Sequence, residues 1–118
     1  MELASKLQIK PGAVVSVIGA PPDGPDLSGL GPAAAGPAEA GVVIAFVRQS
    51  AELAGIAVAA IEAARDDRLA WIAYPKAGQL GTDLNRDSLA RAVAGLGVQP
   101  VRQVSLDDVW SALRFRPA

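Results

Sequence analysis

Apolar positions along the chain gather into short dense blocks separated by polar or helix-breaking stretches. Ala13-Val14-Val15-Ser16-Val17-Ile18 and Val42-Val43-Ile44-Ala45-Phe46-Val47 are β-branched and apolar with almost no alternation, the pattern of strands buried on both faces of a parallel sheet. Leu69-Ala70-Trp71-Ile72-Ala73-Tyr74 repeats that pattern and is closed by Pro75. Between the second and third blocks the period changes. Leu53, Ile56, Ala57, Ala60, Ile61 and Ala64 recur at three and four residues, which predicts a helix from an N-cap at Ser50 to about Ala64, with Glu52 in its first turn. The many alanines on that stripe predict a helix lying close to the sheet.

A further helix is predicted from an N-cap at Asn85, with Leu89, Val93 and Leu96 on its apolar face and Gly95 and Gly97 ending it. Residues 1–12 read as a short helix closed by Lys10-Pro11-Gly12, and Val101 to Leu106 as another strand. Trp110 to Arg116 fits two periods. Leu106, Val109, Trp110 and Leu113 follow helical spacing, whereas Val109, Ser111, Leu113 and Phe115 alternate with Trp110, Ala112, Arg114 and Arg116 as on a strand. From Gly19 to Gly41, five prolines interleave with glycines, so no regular element is expected there. So long a segment within a compact domain is commonly functional or disordered. Passive wrapping or disorder is favoured over a lid.

The length of 118 residues predicts one domain, 1–118, with one core. The chain has no Cys and no His, which removes thiolate and imidazole chemistry and nearly every zinc, copper or haem ligand set. A net charge of −1 gives no field favouring nucleic acid. No apolar run is long enough for a membrane span, and the first ten residues lack the apolar centre of a secretory signal, so a cytoplasmic chain is expected.

Two resemblances follow from this order of elements. Helix, strand, crossover, strand, helix, strand, helix and two closing strands resembles the class I S-adenosylmethionine-dependent methyltransferase fold lacking its second and third strands. That likeness implies an α/β, truncated Rossmann-like three-layer sandwich of about five strands. They would be mostly parallel, with an antiparallel C-terminal hairpin strand inserted beside the strand at Leu69, which favours the strand reading of Trp110 to Arg116. The cofactor motifs do not follow. Gly19-Ala20-Pro21-Pro22-Asp23-Gly24 is interrupted by proline and the ribose-binding strand is missing, so no cofactor is expected. Second, Tyr74-Pro75-Lys76, Thr82-Asp83-Leu84-Asn85-Arg86-Asp87-Ser88-Leu89 and Asp107 to Pro117 resemble a family of small bacterial proteins known only as a domain of unknown function.

In a parallel sheet, ligands bind outside the carboxyl ends of the strands. Arg48, Ser50, Lys76 and Asn85 should gather there, with Asp107 in the hairpin turn. Two helix starts beside two cations would suit a phosphate or carboxylate; the plainer alternative is that Asp83 and Asn85 only cap helices and that Lys76 pairs with Asp107 or Asp108. Asp107 and Asp108 are neighbours on the chain and point apart unless a tight turn joins them, so no metal site is expected. Tyr74 and Lys76 lack the helical spacing of a catalytic pair. No catalytic set is found. The expectation is a noncatalytic module that self-associates or docks on a protein partner through the sheet edge at Ala13 to Ile18, independent of nucleic acid and membrane. The alternative is a small enzyme or sensor for an anionic metabolite at the Lys76 rim.

Overall fold

The computed structural model describes residues 2–118, which form a mixed α/β fold around one open sheet. Its strands are β1 (Val15–Ile18), β2 (Val42–Phe46), β3 (Leu69–Pro75), β4 (Val98–Ser105) and β5 (Trp110–Pro117). They lie side by side in the order β1-β2-β3-β5-β4. The first three run parallel, with Val17 beside Ile44 and Ile44 beside Trp71. β5 runs antiparallel to both of its neighbours, pairing Ile72 with Leu113 and Val104 with Ala112. The alternating period at Trp110 to Arg116 therefore prevails over the helical one. Inserted between β3 and β4, β5 has both faces covered, and Trp110, Ser111, Ala112 and Leu113 are all buried. β4 begins at Val98, earlier than its sequence suggests, because Gly97 ends the preceding turn and Val98 already pairs with Pro117.

Among the described residues three α-helices flank the sheet: α1 (Leu3–Lys6), α2 (Val58–Arg65) and α3 (Arg86–Val93). One face carries Val43, Ala45, Ile72, Tyr74, Leu113 and Phe115 against Ala60, Ile61 and Ala64 of α2 and Leu89 and Val93 of α3. The alanine stripe is buried as expected. On the other face, Val42, Ile44, Phe46, Trp71 and Trp110 meet Leu7, Ile9 and Leu30. Trp110 stands edge-on to Phe46, their ring centroids 5.2 Å apart. The Trp71 indole Nε1–H donates to the Leu7 carbonyl at 3.0 Å, tying the first turn of the chain to the middle of the sheet.

Three predicted helices are shorter than their patterns; α3 ends at Val93, and Leu96, expected on its apolar face, is exposed. Of the predicted helix over residues 1–12, the described residues 2–12 hold only α1, because Gln8 adopts a left-handed φ of 62° and closes the helix with N–H bonds from Gln8 to Ser5 and from Ile9 to Ala4. Ser50 does not cap a long helix. Ser50–Glu52 is a 3-10 turn capped by Gln49, and α2 starts only at Val58. The Glu52 carboxylate turns back onto the Arg48 and Gln49 N–H groups, and Gly55 interrupts the stripe, so this stretch closes mainly on three-residue bonds.

The Pro/Gly segment wraps the molecule. It buries Leu30, forms a 3-10 turn at Pro37–Glu39 and bridges Ala33 to Val15, which corrects the expectation that it holds no regular element. Gly31 permits the close approach: at φ 144°, a Cβ there would lie 2.7 Å from the Ala13 carbonyl oxygen. Arg68 fastens the far end, donating to the carbonyls of Pro37 (2.7 Å) and Ala40 (2.8 Å).

Candidate functional site

The loops leaving β1, β2 and β3 meet at the carboxyl rim, as the parallel order requires. Gly19, left-handed at φ 74°, sits so close to the end of β2 that a Cβ would lie 2.8 Å from the Phe46 carbonyl oxygen. The loop after β3 then crosses toward β2. Gln49 Nε2 donates to the Gly81 carbonyl, Thr82 Oγ1 donates to that of Arg48, and Asp83 accepts from Ser50 through both its backbone N–H (2.8 Å) and its hydroxyl. The two bonds from Ser50, hydroxyl first, hold the Asp83 carboxyl below the usual carboxylate range.

The five predicted site residues divide into separate groups. Arg48 and Ser50 belong to the Asp83 knot, with the Arg48 N–H held by Glu52. Asn85 caps α3 in a reciprocal box: its side chain accepts from the Ser88 N–H at 2.9 Å, and the Ser88 hydroxyl accepts from the Asn85 N–H at 2.9 Å. Lys76 turns the other way, its Nζ donating to Ser105 Oγ at 2.9 Å, and it forms no ion pair with Asp107 or Asp108. Asp107 shapes the β4 to β5 turn by accepting from the N–H groups of Val109 (2.8 Å) and Trp110 (2.7 Å). At the two helix starts read as presenting free N–H groups, those of Ser50 and Ser88 are answered by the chain's own oxygens. Ser105 is a partner that the sequence did not single out, and Asp83, expected to cap the helix, instead binds Ser50. Local capping spacings gave no cue to that bond, because it spans 33 positions.

At the opposite end, beside the first residues of β2 and β3, an open cavity of about 430 Å³ is lined by Gln8, Lys10, Ala13, Gly41, Val42, Asp67, Leu69 and Arg114. Arg114 stands on β5 across from Trp71 of β3 and Arg102 of β4. Its Nη1 donates to Gln8 Oε1 at 2.7 Å, while its Nε–H is shielded from water and has no acceptor. Burial, with Arg116 and Arg102 nearby, lowers its proton affinity, against which Asp67 acts. Among the described residues no carboxylate lies within ion-pair distance of it; Asp67 is instead 3.4 Å from Arg116 Nε. No sequence motif marks this cavity, since its lining comes from four separate stretches of chain.

Among the described residues the Tyr74 hydroxyl is likewise buried and unbonded, and burial pushes its pKa above the ordinary value. Among the described residues no cluster of three or more acidic side chains is arranged to hold a metal ion, and no helix is long and apolar enough to cross a membrane. Comparison with protein-family models, with curated proteins and with solved structures gives no match to this chain.

Proposed function

We propose that this chain is a noncatalytic binding or protein-interaction module, a pared-down Rossmann-like three-layer domain of the small bacterial family whose Tyr74-Pro75-Lys76 and Thr82 to Leu89 motifs it resembles. One observation carries the reading: at the carboxyl rim, Asp83, Asn85, Lys76 and Asp107 are all bonded to the chain itself. A reactive rim aims such groups at a substrate; here they hold loops together. The motif residues therefore have structural work that explains them without a reaction.

Both sheet edges limit how a partner docks. The outward N–H and C=O of Val15 on β1 are bonded to Pro32 and Ala34. β4 carries Pro100, an irregular register at Val101 and the charged Arg102, features that blunt an edge against strand addition. A long added strand is disfavoured on either side, which directs the reading toward compact ligands or short contacts.

A second reading keeps the carboxyl rim as the site of a small enzyme or sensor for a phosphorylated or carboxylate metabolite. It is favoured by the Asp83 carboxylate on the Ser50 N–H, which marks that position as hospitable to an anion. A thermal-shift panel of nucleotides, sugar phosphates and acyl anions separates the two. Under the module reading, Lys76→Ala leaves any ligand-induced rise in melting temperature unchanged; its abolition would favour the rim. Sedimentation of the free chain reports self-association in the same samples.

A further inference from the structure

We infer that the cavity at the amino ends of β2 and β3 receives a small organic anion, a carboxylate or phosphate ester on a short apolar body, with Arg114 as its anchor. The inference rests on the binding-module reading and gives that module a site, at the end of the sheet opposite the one its topology advertises.

Size and lining come first. At about 430 Å³ the cavity falls within the range of roughly 300–1,000 Å³ typical of small-molecule sites. Ala13, Val42 and Leu69 offer apolar surface, while Gln8, Lys10 and Arg114 supply polar groups that converge from the α1 to β1 connection and from β5. An amphipathic ligand matches that division.

Electrostatics specify the charge of the ligand. Among the described residues the guanidinium of Arg114 has one acceptor, Gln8 on Nη1, and its Nε–H has none. Arg102 stands opposite it in the register and Arg116 follows two residues on. A cation drawn partly out of water beside like charges is unfavourable unless an anion joins it. Asp67 lines the same cavity but is engaged by Arg116. Held through Nη1 by Gln8, the guanidinium has its Nη2 donors left for a charge-assisted bond to a carboxylate or phosphate.

The backbone adds an independent indication. Left-handed φ is adopted by three described residues other than glycine, and two of them, Gln8 (62°) and Asp67 (59°), line this cavity. Each closes a helix where glycine is the usual residue. At Gln8 the side chain that glycine would lack is the one that grips Arg114. A conformational cost retained by the residue that orients the anchor is the pattern of a preorganised site.

The test is an amide and Arg-Nε NMR titration of the full chain with benzoate, phenyl phosphate and inorganic phosphate, with benzyl alcohol as the neutral control. Saturable shifts are expected at Gly41, Val42, Leu69 and the Arg114 Nε–H for the two aromatic anions, weaker binding for inorganic phosphate, and none for the alcohol. Arg114→Gln should weaken phenyl phosphate binding by about tenfold or more, the scale of a hydrogen bond to a charged group. Arg114→Lys should recover only part of that loss because the fork is gone. Lys10→Gln, on an exposed side chain, should weaken binding with the fold intact and keeps the test decisive if an Arg114 variant does not fold. Shifts that survive Arg114→Gln and Lys10→Gln would overturn the site while leaving a binding module, whereas shifts that gather round Lys76 and Ser105 would overturn it in favour of the carboxyl rim. No saturation by any anion at millimolar concentrations would overturn it as well, and self-association in sedimentation would then still support the module.

Discussion

At the carboxyl ends of the strands, Asp83 answers Ser50 and Asp107 answers Val109 and Trp110; at the amino ends, Arg114 faces Arg102 on the neighbouring strand, has Arg116 two residues on, and is in no ion pair with a carboxylate of the described residues. Polar groups are plentiful at both ends. The difference lies in whether the chain supplies their partners. A group already answered contributes to stability and loses that contribution when removed, whereas an unanswered one contributes little to the free fold and has capacity left for something outside it.

Four substitutions test that contrast, in order of expected size. Asp107→Ala leaves two N–H groups of the hairpin turn without their acceptor, and urea unfolding should register a loss of about 1–3 kcal/mol; an unchanged midpoint would break the contrast at its strongest point. Asn85→Ala removes the cap of α3 and should cost about 1 kcal/mol, read as a lower midpoint at constant slope.

Asp83→Asn is best followed by pH. The folded-state pKa of Asp83 lies below its ordinary 3.8, so its contribution is present above about pH 4 and fades as the pH falls through the depressed value. The variant should show a shallower acid limb in its stability profile. Superimposable limbs would remove Asp83 from the account. Smallest of all, Arg114→Met should change unfolding free energy by less than about 0.5 kcal/mol, or raise it, because lost Gln8 bonding is offset by relief of a poorly solvated cation. A loss as large as that of Asp107→Ala would show that both ends are built alike.

The sequence revealed the apolar segments because strands buried on both faces need no partner to be recognised: Val42 to Phe46 and Leu69 to Pro75 coincide with their blocks. Asn85 was legible too, since a cap and its helix are local. The placement of β5 beside β3 followed from a fold-level likeness, while the residues of 110–116 alone allowed either period. What stayed hidden was long-range. Ser50 looked like an N-cap, but its N–H is answered by Asp83, and Gln8 carries no pattern that would pair it with Arg114, 106 positions away. The Pro/Gly segment was unreadable for another reason: its path depends on Gly31 fitting against Ala13 and on Arg68 reaching two carbonyls, neither of which composition encodes.

Because β5 follows β4 in the chain yet lies between β4 and β3, the sheet cannot be assembled in the order in which it is synthesised. Until β5 inserts, β3 presents Trp71 and Ile72 along an unpaired border and β4 has no neighbour at all. Loss of that one strand would therefore divide the sheet rather than trim it. Refolding should wait on this late, nonlocal insertion, and intermediates caught before it are the species in which aggregation would begin.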